Sequence, residues 1–119
     1  MNNKKIGTQF EKDFCEMMSK EGFWVHFLSP DSTGAQPFDV IAVRDGIAYA
    51  IDCKTSVSHI FSISRLEFNQ IASFMLWMKK GNREPLIAVK YREDVYFIGF
   101  IELWEKKKVD LDEMRKGSI

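Results

Sequence analysis

A predicted β-hairpin in residues 37–54 constrains the fold of this chain more than any other stretch. Residues 38–44 (FDVIAVR) and 47–54 (IAYAIDCK) are apolar runs typical of strands, and Asp45-Gly46 lies between them. An Asp-Gly pair favours a two-residue type I′ turn, because both central residues of that turn need positive φ. Such a turn also fixes which residues of the two strands face each other.

The register of the hairpin sets two acids against each other. With Arg44 opposite Ile47, counting back along the strands places Asp39 opposite Asp52. Like charges so opposed, with Cβ atoms about 4.5–5.5 Å apart, are destabilising unless something compensates them. Strand alternation puts Lys54 on the same face as Asp52. The hairpin therefore presents two carboxylates and an ammonium group to one spot, unless a bulge shifts the register by one residue.

Composition predicts one globular domain without a general affinity for polyanions. The chain has 119 residues, with 17 basic and 17 acidic side chains and a formal net charge of zero. Any nucleic-acid site must then be a local patch. Residues 1–5 (MNNKK) lead into no apolar signal region, and no run reaches the length of a membrane span. We expect a cytoplasmic protein without membrane association.

The two cysteines and two histidines predict neither a disulfide nor a structural zinc site. Cys15 and Cys53 are far apart and lie in apolar patterns, which is typical of buried reduced thiols. His26 and His59 are likewise isolated.

The rest of the chain predicts an α/β domain with the element order αβββαββ and a central mixed five-stranded sheet flanked by helices. A first helix is expected over residues 8–21, and a Ser64–Glu67 capping box is expected to open a second helix that ends near Gly81. The other predicted elements are strands at 23–28, 85–91 and 95–101, a loop at 29–36, and a short docked helix after residue 102. The ends, 1–5 and 113–119, are expected to be flexible.

The hairpin acids suit phosphodiester hydrolysis. Hard divalent cations take oxygen ligands, and Asp39 and Asp52, with the backbone carbonyl of Cys53, provide them. A bound ion of this kind can activate water and neutralise charge on a reacting phosphate. Lys54 would orient or help to deprotonate that water and stabilise the oxyanion that forms.

At these residues the sequence resembles the PD-(D/E)XK nuclease superfamily, with Pro37-Phe38-Asp39 and Asp52-Cys53-Lys54 as the two halves of the motif. Within it the chain is most similar to the archaeal Holliday-junction resolvases and their phage and bacterial relatives, over roughly residues 5–102. The ordered features that carry this closer resemblance are Gly7 and Glu11, Gly22-Phe23, a serine-bearing loop, the acidic hairpin, and the strand 86–90 (LIAVK). An extra residue separates Pro37 from Asp39, and Asp52 stands where glutamate is commoner.

The resemblance implies a restriction-endonuclease-like fold and a set of residue roles. Asp39 and Asp52 become metal ligands, Lys54 the catalytic lysine, and Glu11 a third acid that binds metal directly or through water. Ser32, or alternatively Ser29, would supply a hydroxyl near the scissile phosphate. The family also implies Mg²⁺ dependence, with Mn²⁺ as a substitute, a homodimer, and paired cuts in four-way DNA junctions.

Some of these residues also have structural interpretations. Glu11 could be the N3 residue of a capping box in which Thr8 is the N-cap. Asp52 and Lys54 could form an exposed ion pair worth under about 1 kcal/mol, although the apolar residues around them favour burial, where an acid pair is costly without a function. The aromatic-rich set Phe74, Trp77, Met78, Phe97, Phe100 and Trp104 could form either a dimer face or a filled core.

Basic residues near the chain start and the second helix are candidate DNA contacts. Lys4 and Lys5 form either a DNA-contacting arm or a soluble terminus. Lys79 and Lys80, close in sequence to Arg83, Lys90 and Arg92, form either a phosphate-binding cluster or a solvated face.

The sequence therefore predicts a metal-dependent DNA endonuclease, with a Holliday-junction resolvase as the leading hypothesis. One alternative is a nuclease of the same superfamily that acts on other branched or duplex DNA. The other is a non-catalytic DNA-binding protein that keeps the fold.

Overall fold

The computed structural model describes residues 3–28, 36–117 and 119, and for residues 3–6 the backbone alone. The helices are α1 (Asn3–Lys20), α2 (Phe68–Lys79) and α3 (Phe100–Lys106). The strands are β1 (Trp24–Phe27), β2 (Val40–Arg44), β3 (Ile47–Ser56), β4 (Ile60–Ser62), β5 (Leu86–Tyr91), β6 (Asp94–Gly99) and β7 (Lys108–Asp110). Two short 3₁₀ turns cover Ile63–Arg65 and Leu111–Glu113.

Five strands form the predicted mixed sheet, in the spatial order β1-β2-β3-β5-β6. β3 and β5 run parallel, with α2 in the connection between them, and the other neighbours are antiparallel. A parallel pair needs a long crossover, whereas antiparallel strands can be joined by tight turns. The sheet and the αβββαββ order are thus confirmed.

The hairpin turn has the predicted geometry. Asp45 and Gly46 have φ of 54° and 77°, both positive as a type I′ turn requires. Arg44 pairs with Ile47, and the ladder continues to the pair Val40 and Ile51. The predicted register is therefore correct up to Val40 and Ile51, the residues next to the two acids.

Helices cover both faces of the sheet and enclose two apolar cores. On one face α1 packs Phe10, Phe14 and Met18 against the sheet. On the other face α2 and α3 contribute Phe74 and Phe100, whose ring centroids lie 5.2 Å apart. Of the aromatic-rich set, Trp77, Met78 and Phe97 also pack against these cores, and Trp104 is 40% exposed. Most of that set is therefore core.

Both predicted helix starts are wrong. α1 begins at Asn3 instead of Thr8, because the residues before Thr8 include no proline and the one glycine among them, Gly7, lowers helix stability by only about 1 kcal/mol. Thr8 is therefore inside the helix, and the capping box of Thr8 with Glu11 does not exist. α2 is capped by Glu67 and Gln70, each side chain bonding the other residue's backbone. Ser64 lies instead in the preceding 3₁₀ turn.

The structure describes part of each chain end, and the predicted flexibility of these ends stays a prediction. The backbone of residues 3–5 is helical. Near the other end the Gly117 N–H donates to the Val95 carbonyl at 2.9 Å, and Ile119 packs against the core on the α1 side.

β7 pairs with β4 in a separate two-stranded sheet that sequence reasoning missed, because the two segments lie far apart in the chain.

Within the described part of the chain, no helix combines the length and apolar character that crossing a membrane requires.

Candidate active site

Asp39 is the residue just before β2. It is 5% exposed, and its own N–H donates at 3.2 Å to the carbonyl of Ile51, the residue that pairs with Val40. The carboxylate accepts a hydrogen bond from the Cys53 amide at 2.8 Å through Oδ2 and one from the Gln36 side chain through Oδ1. Asp39 is therefore held against the strand that carries Asp52, although the ladder itself ends at Val40 and Ile51 and does not pair Asp39 with Asp52.

Asp52 is fully buried in the middle of β3, with 0% exposure, and pairs with Ile87 of β5. Its Oδ1 accepts a hydrogen bond from Gln70 Nε2 at 2.9 Å. Lys54 Nζ lies 3.0 Å from Oδ2, close enough for an ion pair but not aligned as a hydrogen bond. Burial raises the pKa of Asp52, and the Asp39 charge raises it further against the opposing effect of Lys54. An exposed, inert ion pair is thus ruled out.

Gln70, in the first turn of α2, links the acid to the lysine. Gln70 is buried, and its Nε2 donates to Asp52. Its Oε1 lies 3.3 Å from Lys54 Nζ and also accepts a hydrogen bond from the Glu67 amide at 2.9 Å. Sequence reasoning missed this residue. The signal available was its place at the start of the helix that follows β3, because a β-α-β crossover returns that helix to the face of the strand it leaves.

Glu11 projects from α1 toward the hairpin. Its pKa is raised to about 7, chiefly by desolvation and then by the Asp39 charge, with Lys54 opposing. Glu11 also borders a cleft of about 300 Å³ with Lys12, Cys15 and Phe27. The structure therefore brings the third predicted acid into the electrostatic field of Asp39 and Lys54.

Both cysteines are free, as predicted, and Cys53 lies within the site. Its thiol is buried and its N–H bonds Asp39. The N–H and carbonyl of one strand residue point to the same side of the strand, so the Cys53 carbonyl faces the Asp39 side. Burial, followed by the nearby acids, keeps the pKa of the thiol well above its usual value, which makes the carbonyl rather than the sulfur the group available to a hard cation.

The buried oxygens of this site fit a divalent cation. Asp52 Oδ2 and Gln36 Oε1 are both inaccessible and lack a well-aligned hydrogen-bond donor among the described residues. Because the Asp39 charge raises the pKa of Asp52, a positive ion near both carboxylates would be favourable. In the described part of the chain, Glu11, Asp39 and Asp52 do not form a set of three ligand atoms within 4.8 Å. Glu11 accordingly fits a role through water better than a place beside both aspartates.

One other group of ligating side chains lies away from the hairpin. His59, Asp110 and Asp112 have ligand atoms within 4.8 Å of one another. His59 Nδ1 lies 3.0 Å from Asp110 Oδ1, and the Tyr91 hydroxyl donates to Asp112 at 3.0 Å. These contacts link the ends of β4, β5 and β7 and give the group a structural role.

The remaining candidate residues are not gathered at the hairpin. Ser29 and Ser32 lie outside the described residues, as do the side chains of Lys4 and Lys5. Lys79 and Lys80 are exposed at the far end of α2, about 14 Å from Gln70 at 1.5 Å per residue. Lys90 and Arg92 lie at the end of β5 and line one cleft, whereas Arg83 precedes that strand and lines another, so the five basic residues that are close in sequence do not form one cluster.

The fold and this pair of buried acids with a lysine define a nuclease of the PD-(D/E)XK class. The chain is 30% identical over 112 residues to the crossover junction endodeoxyribonuclease Hjc of Methanocaldococcus jannaschii, covering 93% of this chain and 79% of that protein. It is 26% identical over 110 residues to the enzyme Hje of Sulfolobus acidocaldarius, covering 92% and 78%. The solved structure of Archaeoglobus fulgidus Hjc superposes with a TM-score of 0.67 at 21% identity, over 87% of this chain and 86% of that one, and confirms the fold.

Residues 2–118 match the sequence profile of the archaeal Holliday junction resolvases (Hjc). The chain belongs to that family.

Proposed function

We propose that this chain is a metal-dependent endonuclease that cleaves four-way DNA junctions during recombination and repair, in the cytoplasm. The observation that carries the proposal is the buried set Asp39, Asp52 and Lys54 on one hairpin, within a family whose relatives are named crossover junction endodeoxyribonucleases. No structural need accounts for two buried acids that destabilise each other.

The proposed cofactor is Mg²⁺, with Mn²⁺ as a substitute. Asp39, Asp52 and the Cys53 carbonyl would hold it, with Glu11 acting directly or through water. When bound, such an ion activates water and offsets the charge of the reacting phosphate.

The chain's own residues orient the reacting groups. Gln70 fixes the Asp52 carboxylate and limits the positions of the Lys54 ammonium group. Lys54 would then donate hydrogen bonds to the attacking water and to the oxyanion that forms, an interaction whose removal commonly costs about 10²–10³ in rate. Ser32 or Ser29 would contribute a hydroxyl to the scissile phosphate, and Lys4, Lys5, Lys79 and Lys80 would contact DNA further away.

A homodimer suits a two-fold symmetric junction, because it places one active site at each of two strands. The exposed apolar side chains of α2 and α3 support this assembly. Phe68 is 87% and Leu76 55% exposed on α2, and Ile101 and Trp104 are exposed on α3. We expect a second copy of the chain to cover this surface. Sedimentation of a Leu76→Asp variant should show monomers where the unaltered chain sediments as a dimer; an unaltered chain that is strictly monomeric would contradict the assembly.

The direct test of activity is cleavage of a labelled four-way junction, its matched duplex and single strand in the presence of Mg²⁺. We expect paired nicks in the junction, and their loss in Asp52→Asn and Lys54→Ala. Asp45→Asn is the matched control, because it removes a carboxylate from the exposed turn of the same hairpin.

The other outcomes separate the alternatives. Equal cleavage of duplex would indicate a more general nuclease. Binding without cleavage, unchanged in both variants, would indicate a non-catalytic DNA-binding protein. Calorimetry with Mg²⁺ or Mn²⁺ adds a second readout, since metal binding that does not depend on Asp39 and Asp52 would remove the basis for the proposed chemistry.

A further inference from the structure

A basic cleft of about 750 Å³ opens at the carboxyl ends of β3 and β5. Arg65, Lys90 and Arg92 line it together with the single acid Glu93, which gives the lining a net charge of about +2. Thr55 and Ser56 add hydroxyl groups. Pockets for small organic ligands are lined mainly by apolar side chains, so this lining favours an anionic ligand. We call this feature the β3–β5 cleft.

Two of its three cations are held in place by the fold. The Arg65 guanidinium donates to the Thr55 carbonyl at 2.8 Å and lies 5.3 Å from the centre of the Phe61 ring. The Arg92 guanidinium lies 5.0 Å from the centre of the Tyr91 ring. Guanidinium groups stacked in this way keep other N–H donors free for the forked contacts they make with phosphate.

The cleft lies near the active site along β3, toward the carboxyl end of that strand. Thr55 and Ser56 directly follow Lys54 in that strand, and Thr55 pairs with Lys90 of β5. At about 3.3 Å per residue, Ser56 lies about 13 Å from Asp52. One strand of DNA carries a phosphate about every 3.4 Å of helix rise, so this distance corresponds to about four nucleotides beyond a phosphate at the acids, or fewer where the strand is more extended than in the helix. In open α/β sheets, ligands bind beyond the carboxyl ends of parallel strands.

We propose that the β3–β5 cleft binds backbone phosphates of one DNA strand, two to four nucleotides from the bond that the hairpin site cleaves. This inference rests on the proposed nuclease function and adds to it the path of the substrate. It assigns phosphate contacts to Arg65, Lys90 and Arg92, and it explains how a chain of zero net charge binds a polyanion.

The first test measures the salt dependence of binding to a labelled four-way junction, in a Lys54→Ala background that leaves the DNA intact. Each lost phosphate contact reduces the slope of log K against log salt concentration by about 0.9. Arg65→Gln combined with Arg92→Gln should therefore reduce the slope by about 1.8 and weaken binding about 10- to 100-fold near 0.1 M salt. The control is Lys20→Gln combined with Lys106→Gln, which removes two charges from exposed helical ion pairs and should leave the slope unchanged.

A second test alters the DNA instead of the protein, because Arg65→Gln removes a fold contact. After the cut is mapped, neutral methylphosphonate linkages are placed two to four nucleotides from it on either side. On one side of the cut these linkages should weaken DNA binding by the Lys54→Ala chain. In a chain that also carries Arg92→Gln or Lys90→Gln, they should add little to the affinity already lost through that substitution.

The outcomes distinguish this inference from the function on which it rests. Suppose that the unaltered chain cuts junctions. Then the cleft assignment alone fails if the folded cleft variants show an undiminished slope of log K against log salt concentration, or if the neutral linkages weaken binding equally with and without the cleft substitutions. If the unaltered chain neither binds nor cuts junctions, the proposed function fails and the cleft assignment fails with it.

Discussion

Replacing Gln70 tests whether the link between Asp52 and Lys54 organises the site. Gln70→Met keeps the length of the side chain but removes a buried hydrogen bond to Asp52 Oδ1, an acceptor for Lys54 Nζ and the cap on the Glu67 amide. A hydrogen bond to a charged group contributes about 1.5–3 kcal/mol, and a neutral one about 1 kcal/mol. We therefore expect a loss of about 3 kcal/mol in the free energy of unfolding, or roughly 10 °C in Tm for a domain of this size.

The same variant should lower kcat for junction cleavage about 10- to 100-fold, because a displaced lysine and acid no longer meet the scissile phosphate in a reactive geometry. KM should change little, since Gln70 is buried away from the DNA surface. The assays are urea unfolding and single-turnover cleavage, with Gln9→Met on the exposed side of α1 as the matched control. A Gln70→Met chain that unfolds and cleaves like the unaltered chain would refute this reasoning.

Three further predictions concern the scaffold. Phe74→Ala should lower the free energy of unfolding by about 3–5 kcal/mol in urea titrations, because the ring is fully buried; a loss under 1 kcal/mol would contradict this packing. Gly46→Ala should cost about 1–2 kcal/mol, because Gly46 has φ of 77°; unchanged melting would argue against the type I′ turn. The hydrogen bond to Asp110 raises the pKa of His59. The contribution of this pair to the free energy of unfolding is therefore present below pH 6.5 and is lost as the pH rises through the folded-state pKa of His59. An NMR titration should show a lower His59 pKa in Asp110→Asn, and an equal pKa would exclude the pair.

The hairpin was predictable from sequence because its determinants are local. Asp45-Gly46 needs only its own backbone preference to set the turn, and the register then follows residue by residue to Val40 and Ile51. The order of helices and strands followed for the same reason, from periodicity and turn residues. The pairing of β4 with β7 depends on contacts between distant segments, and no local pattern encodes it.

The residues of the candidate site differ in the same way, since some depend on local sequence and others on contacts between distant segments. Asp39, Asp52 and Lys54 were found because one turn relates them, and Glu11 was found by resemblance to a family. Gln70 and Arg65 were missed because their partners are reached only when the crossover helix and its leading loop fold back onto β3. A glutamine in the first turn of an amphipathic helix resembles a solvent-exposed cap unless the crossover that returns this helix to β3 is taken into account.

Net charge is the wrong quantity by which to judge whether this chain binds DNA. Its 17 basic and 17 acidic residues cancel over the whole chain, but Asp39 and Asp52 lie near the middle of β3, whereas the cations of the β3–β5 cleft lie near the carboxyl end of that strand, where Ser56 is about 13 Å from Asp52. At physiological ionic strength the Debye length is about 8 Å, so in solvent the two fields act largely independently. One region can then attract a divalent cation while the other attracts phosphate. The same separation explains why the sum of charges gave no signal for nucleic acid, although the charges needed to bind it lie beside the hairpin.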